Sequence, residues 1–146
     1  MATKQIVVGT DGSTTAAEAV RRAVELAAAQ GARLHVVTAY RAKVRAGDAD
    51  LPEAWHWKTS PGEVAEQTAR AAAKSASEAG IDVEYHAQPG DPADVLVDVV
   101  ESVGADMLVI GNKGMRGAGR MVIPSIPNRV SHRATCDILL VDTSAA

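Results

Sequence analysis

The chain has 146 residues, which suffice for one domain with a sizeable core and fall short of two ordinary domains. Its 18 acidic and 15 basic side chains give a formal net charge of −3, so long-range attraction toward nucleic acid or an anionic membrane is not expected. A lone cysteine, Cys136, excludes an internal disulfide and a multi-cysteine metal site, and the lack of an apolar run of about 18 residues favours the cytoplasm over a membrane.

The beginning of the chain predicts a strand, a helix and a second strand. Residues 5–10 carry a short apolar run that is typical of a strand buried on both faces. A helix should follow, because Ser13 is a suitable N-cap, apolar residues recur at helical spacing, and Gly31 supplies the stop. Residues 34–39 are predicted to form another buried strand, which a right-handed crossover places beside the first strand and parallel to it.

The remainder of the chain continues the alternation of strands and helices. Residues 41–60 form a polar stretch that is unusually long for a connection, so we expect a lid, a binding loop or a disordered segment there. Within it, Trp55 and Trp57 either close over a ligand or a second subunit, or one of them anchors the loop. Further strands are predicted at residues 82–88, 107–110 and 138–141, and further helices at residues 61–80, 91–103 and 125–134.

Five strands alternating with four helices predict an α/β fold, a single domain over residues 1–146 built on one doubly wound parallel sheet. The expected strand order is 3-2-1-4-5, with helices on both faces of the sheet. In such a sheet ligands bind beyond the carboxyl ends of the strands, at the point where the winding reverses. That point lies between strands one and four, so the segments 10–13 and 111–124 are predicted to meet there.

The two converging loops differ in charge, and the difference suggests a role for each. Thr10 and Asp11 follow strand one, where a carboxylate would repel phosphate but accept hydrogen bonds from a ribose hydroxyl or an adenine amine. The loop after strand four has glycines that allow a close backbone approach, several cations, and a serine at the start of the next helix. These candidates for phosphate binding are Gly111, Lys113, Gly114, Arg116, Arg120 and Ser125.

Plainer interpretations of the same residues stay open. Asp11 could be a turn residue whose carboxylate accepts a hydrogen bond from its own backbone. Ser125 could serve as a helix cap alone, and the cations of residues 113–120 could be solvated. The nucleotide interpretation depends on both loops meeting at one crevice.

Three stretches of the chain resemble the universal stress protein family. They are VVGTDGS after strand one, DMLVIGNKGMRG through strand four, and SIPNRVSHRATCDILLVDT near the end. ATP-binding members of that family carry Gly-x-x-Gly and, after nine intervening residues, Gly-Ser or Gly-Thr. Gly111 and Gly114 match the first part, whereas Pro124 and Ser125 stand at the second. Because proline has no backbone N–H, one phosphate donor of the family's motif is missing.

The resemblance implies both a fold and a set of binding residues. The fold would be the Rossmann-like sheet of universal stress proteins and adenine nucleotide alpha hydrolases. Asp11 would lie near the adenosine and Ala39 against the base. The amides of Ser125 and Ile126 would meet the distal phosphates. The full set of implied nucleotide contacts is Thr10, Asp11, Ala39, Ile110, Gly111, Lys113, Gly114, Arg116, Arg120, Ser125 and Ile126.

The function that the resemblance implies is adenine-nucleotide binding by a homodimeric stress-response protein. This protein would be a regulatory module or a module that sequesters the nucleotide. ATP, with or without Mg²⁺, is the favoured ligand, and cyclic AMP and AMP are alternatives. A dimer that binds no nucleotide and acts through protein contacts is a further alternative. The dimer would pair residues 138–141 of two chains, because an apolar edge strand is prone to association when left bare. Efficient catalysis is not expected, although the resemblance allows slow ATP hydrolysis.

Other protein classes and sites fit the sequence less well. A receiver domain needs an aspartate at the end of strand three, where this chain has Gln88-Pro89-Gly90. A flavodoxin needs a hydroxyl-rich phosphate loop after strand one, where Asp11 stands instead. The chain also has no P-loop closed by Gly-Lys-Ser or Gly-Lys-Thr and no nucleophile-elbow motif. The four histidines lack a ligand spacing such as i, i+4, so a metal site is not expected, and His35 is interpreted as a satisfied core or crevice residue.

Overall fold

The computed structural model describes residues 3–41, 60–112 and 125–143, which form alternating strands and helices. The strands are β1 (Gln5–Gly9), β2 (Arg33–Tyr40), β3 (Val83–Pro89), β4 (Met107–Gly111) and β5 (Asp137–Val141). The helices are α1 (Thr14–Gln30), α2 (Pro61–Glu78), α3 (Pro92–Val103) and α4 (Ser125–Ser131). Each strand and helix predicted from the sequence is present, with ends shifted by a few residues.

The strands form one five-stranded parallel sheet in the order β3-β2-β1-β4-β5, which confirms the predicted topology. β1 lies at the centre and pairs with β2 on one side and β4 on the other. β3 and β5 are the edge strands. The winding of the chain therefore reverses between β1 and β4, whose carboxyl ends lie side by side.

The core consists of two apolar layers, one on each face of the sheet. On one face Ile6 and Val8 pack against the alanine-rich inner sides of α1 and α2. On the other face Val7 and Val37 pack against α3 and α4. Alternate residues of β1 thus point to opposite faces, and both faces are covered, which explains why the centre of this strand is apolar without interruption.

The helix ends follow the residues predicted to cap them. The Oγ of Ser13 accepts a hydrogen bond from the Ala16 N–H at 3.1 Å, and Gly31 ends α1 with a left-handed φ of 64°. The side chain of Asp91 accepts from the first N–H groups of α3 and caps that helix as predicted. Local capping chemistry therefore sets the bounds of both helices.

The short helix α4 ends earlier than predicted, at Ser131. The N–H groups of Arg133 and Ala134 both donate to the Val130 carbonyl, at 3.0 and 2.9 Å, and close the helix in a tight turn. Val130 itself is fully buried and anchors the helix in the core.

Neither this helix nor any other in the described ranges has the length and apolarity that a membrane span requires.

Candidate functional site

The carboxyl ends of β1 and β4 form one crevice, as predicted. The two strands pair in parallel, with Val8 opposite Val109, so Gly9 and Gly111 end at the same edge of the sheet. A cavity of about 30 Å³ lies between these ends. Its lining residues are Gly9, Ala16, Leu96, Ile110, Gly111, Ile126 and Pro127. Pockets for drug-sized ligands measure about 300 Å³ or more, so a nucleotide would lie over this cavity rather than inside it.

Thr10 is buried and ties the loop after β1 to the sheet. Its N–H donates to the Val37 carbonyl at 2.9 Å, and its own carbonyl accepts from Thr38 Oγ1 at 3.0 Å. Its Oγ1 accepts the Gly12 N–H at 3.1 Å. The observed bonds of Thr10 position the loop, and its contact with a nucleotide stays a prediction.

Asp11 is exposed at the rim of the crevice, and its Oδ1 accepts the Ser13 N–H at 2.9 Å. This bond is the turn role that the sequence left open. A carboxylate has two oxygens and about four lone-pair sites, so this bond leaves capacity to accept from a hydroxyl or an amine. Asp11 can therefore hold the turn and bind a nucleoside at the same time.

Two glycines allow the helices to approach this loop closely. Gly12 has a φ of +84°, and a Cβ added there would lie 3.2 Å from Thr68 Cγ2 on α2. A Cβ added to Gly9 would lie 3.1 Å from Leu96 Cδ2 on α3. The left-handed φ and the close neighbour both require glycine at position 12. The short path between β1 and α1 thus depends on residues that have no side chain.

Asn112 holds the chain as it leaves β4, a role that the sequence did not reveal. Its N–H donates to the Val141 carbonyl at 2.9 Å. Its Oδ1 accepts from the N–H of Thr143 at 3.0 Å and from the hydroxyl at 3.1 Å, and Thr143 is buried. Asn112 therefore joins the end of β4 to the segment after β5 and fixes the position of Gly111.

The apolar residues of the predicted site lie around the same edge of the sheet. Ile110 is buried, Ile126 is half-buried, and both line the cavity. Ala39 is half-buried near the end of β2, where it pairs with Gln88 of β3. The described part of the predicted site is thus collected at the carboxyl ends of β1, β2 and β4.

The cationic part of the predicted site lies outside the described residues, and so does the segment that holds Trp55 and Trp57. Ser125 is the first residue of α4, as predicted, but its side chain is also outside the described part of the structure. The roles assigned to this group stay predictions, and they concern Lys113, Gly114, Arg116, Arg120, Pro124 and the hydroxyl of Ser125.

Arg129 of α4 binds the carboxylate that caps α3, close to the crevice. Its Nη1 and Nη2 donate to Asp91 Oδ1 and Oδ2 at 3.1 and 2.7 Å. Asp91 Oδ2 also accepts the Ala93 N–H at 3.0 Å. The hydrogen bond from Arg129 is the main reason why the pKa of Asp91 lies below its ordinary value. This contact keeps the helix that carries Ile126 against the end of the sheet.

A second polar cluster lies at the amino ends of β2 and β3. His35 is 2% exposed, its Nε2 lies 2.7 Å from Gln5 Oε1, and its Nδ1 lies 3.1 Å from His86 Nε2. Burial is the main cause that lowers the pKa of both histidines, so both are neutral near pH 7. His35 is therefore a satisfied core residue, as interpreted from the sequence.

Glu84 completes this cluster and makes it a possible metal-binding group. Its Oε2 lies 3.4 Å from His35 Nδ1. Glu84, His35 and His86 each offer one ligand atom, and these atoms all lie within 4.8 Å of one another. The sequence predicted no metal site because the histidines lack a ligand spacing along the chain. The register of β2 and β3 nevertheless brings these side chains together. The available signal was Glu84-x-His86 in a predicted strand, since alternate strand residues share a face.

The fold and the crevice define a doubly wound α/β protein whose candidate ligand site lies at the carboxyl edge of a parallel sheet. The model of the Universal stress protein family matches residues 2–142. The chain is 35% identical over 143 residues to Universal stress protein Rv1636 of Mycobacterium tuberculosis, and the match covers 97% of each chain. The chain therefore belongs to the universal stress protein family.

Solved structures of the family have the same fold. A universal stress protein crystallised in complex with cAMP is 35% identical to this chain, with a TM-score of 0.72 and coverage of 99% of this chain and 100% of that one. The universal stress protein from Archaeoglobus fulgidus in complex with dAMP is 23% identical, with a TM-score of 0.71 and coverage of 97% and 100%. At that lower identity the second likeness shows the fold alone.

Proposed function

We propose that this universal stress protein binds an adenine nucleotide over the crevice between β1 and β4. It would act as a regulatory module that responds to the nucleotide, or as a module that sequesters it. The observation that carries the proposal is the meeting of two strand ends at one cavity, with Ile110, Gly111 and Ile126 in its lining. Open parallel sheets bind ligands at this position, next to the N-termini of the following helices. The 35% identical relative in complex with cAMP supports an adenine nucleotide as the ligand.

Cyclic AMP is the first ligand to test, ahead of the ATP that the family motif favours. One reason is the solved relative that holds cAMP. The other is Pro124, which has no N–H and so removes one backbone donor from the phosphate motif. A cyclic phosphate has a single negative charge and needs fewer donors than a triphosphate. ATP, with or without Mg²⁺, and AMP belong in the same comparison.

Asp11 offers a sharp test of the adenosine end of the site. Asp11→Asn keeps an oxygen that can accept the Ser13 N–H, so the turn is retained, but it removes the charge and replaces one acceptor by a donor. A hydrogen bond to a charged group contributes about 1.5–3 kcal/mol, so affinity should fall about tenfold to a hundredfold. Asp98→Asn makes the same charge change on the exposed face of α3 and should leave affinity unchanged.

Isothermal titration calorimetry with cyclic AMP, ATP, ADP and AMP measures these affinities. The expected result is binding of an adenine nucleotide that weakens in Asp11→Asn and not in Asp98→Asn. Equal affinity in Asp11→Asn would make Asp11 a turn residue alone and move the nucleoside elsewhere. If no adenine nucleotide binds, the proposal fails, and a dimer acting through protein contacts becomes the better interpretation.

The proposed module is a homodimer joined through β5. This strand is an edge of the sheet, and its Leu140 is 50% exposed. A second copy paired along residues 138–141 would extend the sheet across a two-fold axis and cover that side chain. The crevice of each copy would remain at the carboxyl end of its own sheet.

A further inference from the structure

Three side chains at the β2–β3 edge form a cluster of metal-ligand type outside the crevice. In the parallel register His35 pairs with Glu84, and Val37 pairs with His86. Paired residues and alternate residues of a strand share one face of a sheet, so both histidines and the glutamate project from the same face. One ligand atom from each lies within 4.8 Å of the others.

The two separations from His35 Nδ1 are close to those between ligand atoms of a tetrahedral metal site. His35 Nδ1 lies 3.1 Å from His86 Nε2 and 3.4 Å from Glu84 Oε2. Ligand atoms that each lie about 2.0–2.1 Å from a tetrahedral Zn²⁺ ion are about 3.3 Å apart. The His86 and Glu84 ligand atoms lie within 4.8 Å of each other, so the three atoms can surround one cation after side-chain adjustment.

Gln5 prepares His35 as a ligand by fixing its tautomer. The Gln5 Nε2 group donates to the Thr3 carbonyl at 3.1 Å, which identifies Oε1 as the atom that faces His35. Oε1 lies 2.7 Å from His35 Nε2 and, as an acceptor, requires a proton on that nitrogen. The lone pair of the neutral ring is then on Nδ1, the atom that faces the other two side chains. Metal-binding histidines regularly have such a bond at their far nitrogen.

The cluster is closed on its inner side and open to solvent on its outer side. The side chain of His35 is 3% exposed, whereas that of Glu84 is 51% exposed. Arg33, a neighbouring cation, lies 3.7 Å from Glu84 Oε1 and is held by Asp82 at 2.7 Å. Two carboxylates thus face one guanidinium, and the excess of negative charge favours a cation over an anion.

We propose that His35, Glu84 and His86 bind a divalent transition-metal ion of the class that takes nitrogen and oxygen ligands, represented by Zn²⁺. Three protein ligands leave the fourth position to water or a small ligand. In the metal-free cluster His86 Nε2 donates to His35 Nδ1, so ion binding requires the proton of the neutral His86 ring to move from Nε2 to Nδ1. Coordination would join the edge strand β3 to β2. The site is separate from the crevice and does not depend on nucleotide binding.

Zinc titration of chelator-stripped protein, in competition with a chromophoric chelator, tests the site directly. Glu84→Gln and His86→Gln each remove one ligand. Because Glu84 is half exposed, the first variant keeps the fold, and thermal melts in chelator check both. His132→Gln removes an exposed histidine from the turn after α4 and is the matched control.

We expect one Zn²⁺ per unsubstituted chain, affinity at least about tenfold weaker in Glu84→Gln and in His86→Gln, and no change in His132→Gln. Co²⁺ in place of Zn²⁺ should give the visible absorption of a tetrahedral complex, and both ligand variants should lose it. Absence of saturable Zn²⁺ binding overturns the proposal and leaves a hydrogen-bonded histidine pair. Binding that is equally tight in either ligand variant overturns the three-ligand assignment, because that side chain then contributes no bond to the ion.

Discussion

Pro124 removes one backbone N–H from the loop that we propose to bind phosphate. Proline has no N–H, and the family motif has glycine at this place in the sequence. Pro124→Gly restores one donor and should tighten ATP binding about tenfold to a hundredfold, the effect of one charge-assisted hydrogen bond. Cyclic AMP, with a single charge, should gain less. Calorimetric titration of the two ligands measures both changes.

Pro124→Ala separates the restored donor from the flexibility of glycine. Alanine also has an N–H, but it keeps the ordinary backbone limits of a residue with a side chain. Equal tightening by alanine and glycine identifies the missing donor as the cause. Tightening by glycine alone points to backbone conformation. Unchanged ATP affinity in both variants shows that residue 124 does not face the phosphates.

At the scale of elements, Arg129 couples α4 to the N-terminus of α3 through Asp91. The hydrogen bond from Arg129 lowers the pKa of Asp91 in the folded chain. The stabilisation is therefore present above the unfolded pKa of about 3.9 and is lost as the pH falls through the lower folded pKa. Arg129→Gln should reduce the free energy of unfolding at neutral pH. The difference from the unsubstituted chain should shrink below about pH 4.

Variants of Asp91 provide the controls for this coupling. Asp91→Ala removes both the cap and the ion pair and should cost about 1 kcal/mol, or about 4 °C in Tm. Asp91→Asn keeps a capping side chain without charge, so adding Arg129→Gln to it should have a small further effect, through Asp94 at 3.9 Å from Arg129. Urea denaturation at neutral and acidic pH measures each value. A loss in Arg129→Gln that is independent of pH contradicts the coupling.

The helices and strands were predictable because their signals are local, and the strand order because the fold class has a common one. Short-range capping bonds of Ser13 and Gly31 mark the two ends of α1, and the predicted strand order is the common order of doubly wound sheets. The contacts that join elements were not predictable from the same signals. Arg129 and Asp91 are 38 residues apart, and His35 and His86 are 51 apart. Whether such pairs meet depends on strand register and helix rotation, which local patterns leave open.

At the scale of the whole molecule, the two edges of the sheet differ in chemistry. Charged side chains lie along the edge strand β3. Glu84 faces Arg33, and the Arg70 guanidinium lies 5.7 Å from the centre of the Tyr85 ring. Charged side chains at an edge oppose pairing with another strand. β5 instead presents an apolar run at residues 138–141. A dimer is therefore expected to form through β5 and to leave the cluster at β3 accessible to ions.

Leu140→Lys tests this choice of edge. A lysine at position 140, one residue from the end of β5, would bring two ammonium groups close together in a symmetric interface and oppose strand pairing. Val64→Lys is the matched control, because Val64 is 54% exposed on α2 and Leu140 is 50% exposed. Light scattering on a sizing column should give about twice the chain mass of 15.1 kDa for the unsubstituted chain and Val64→Lys, and about the chain mass for Leu140→Lys. A dimer that persists in Leu140→Lys would place the interface on another surface, and the two nucleotide crevices would then have a different spatial relation.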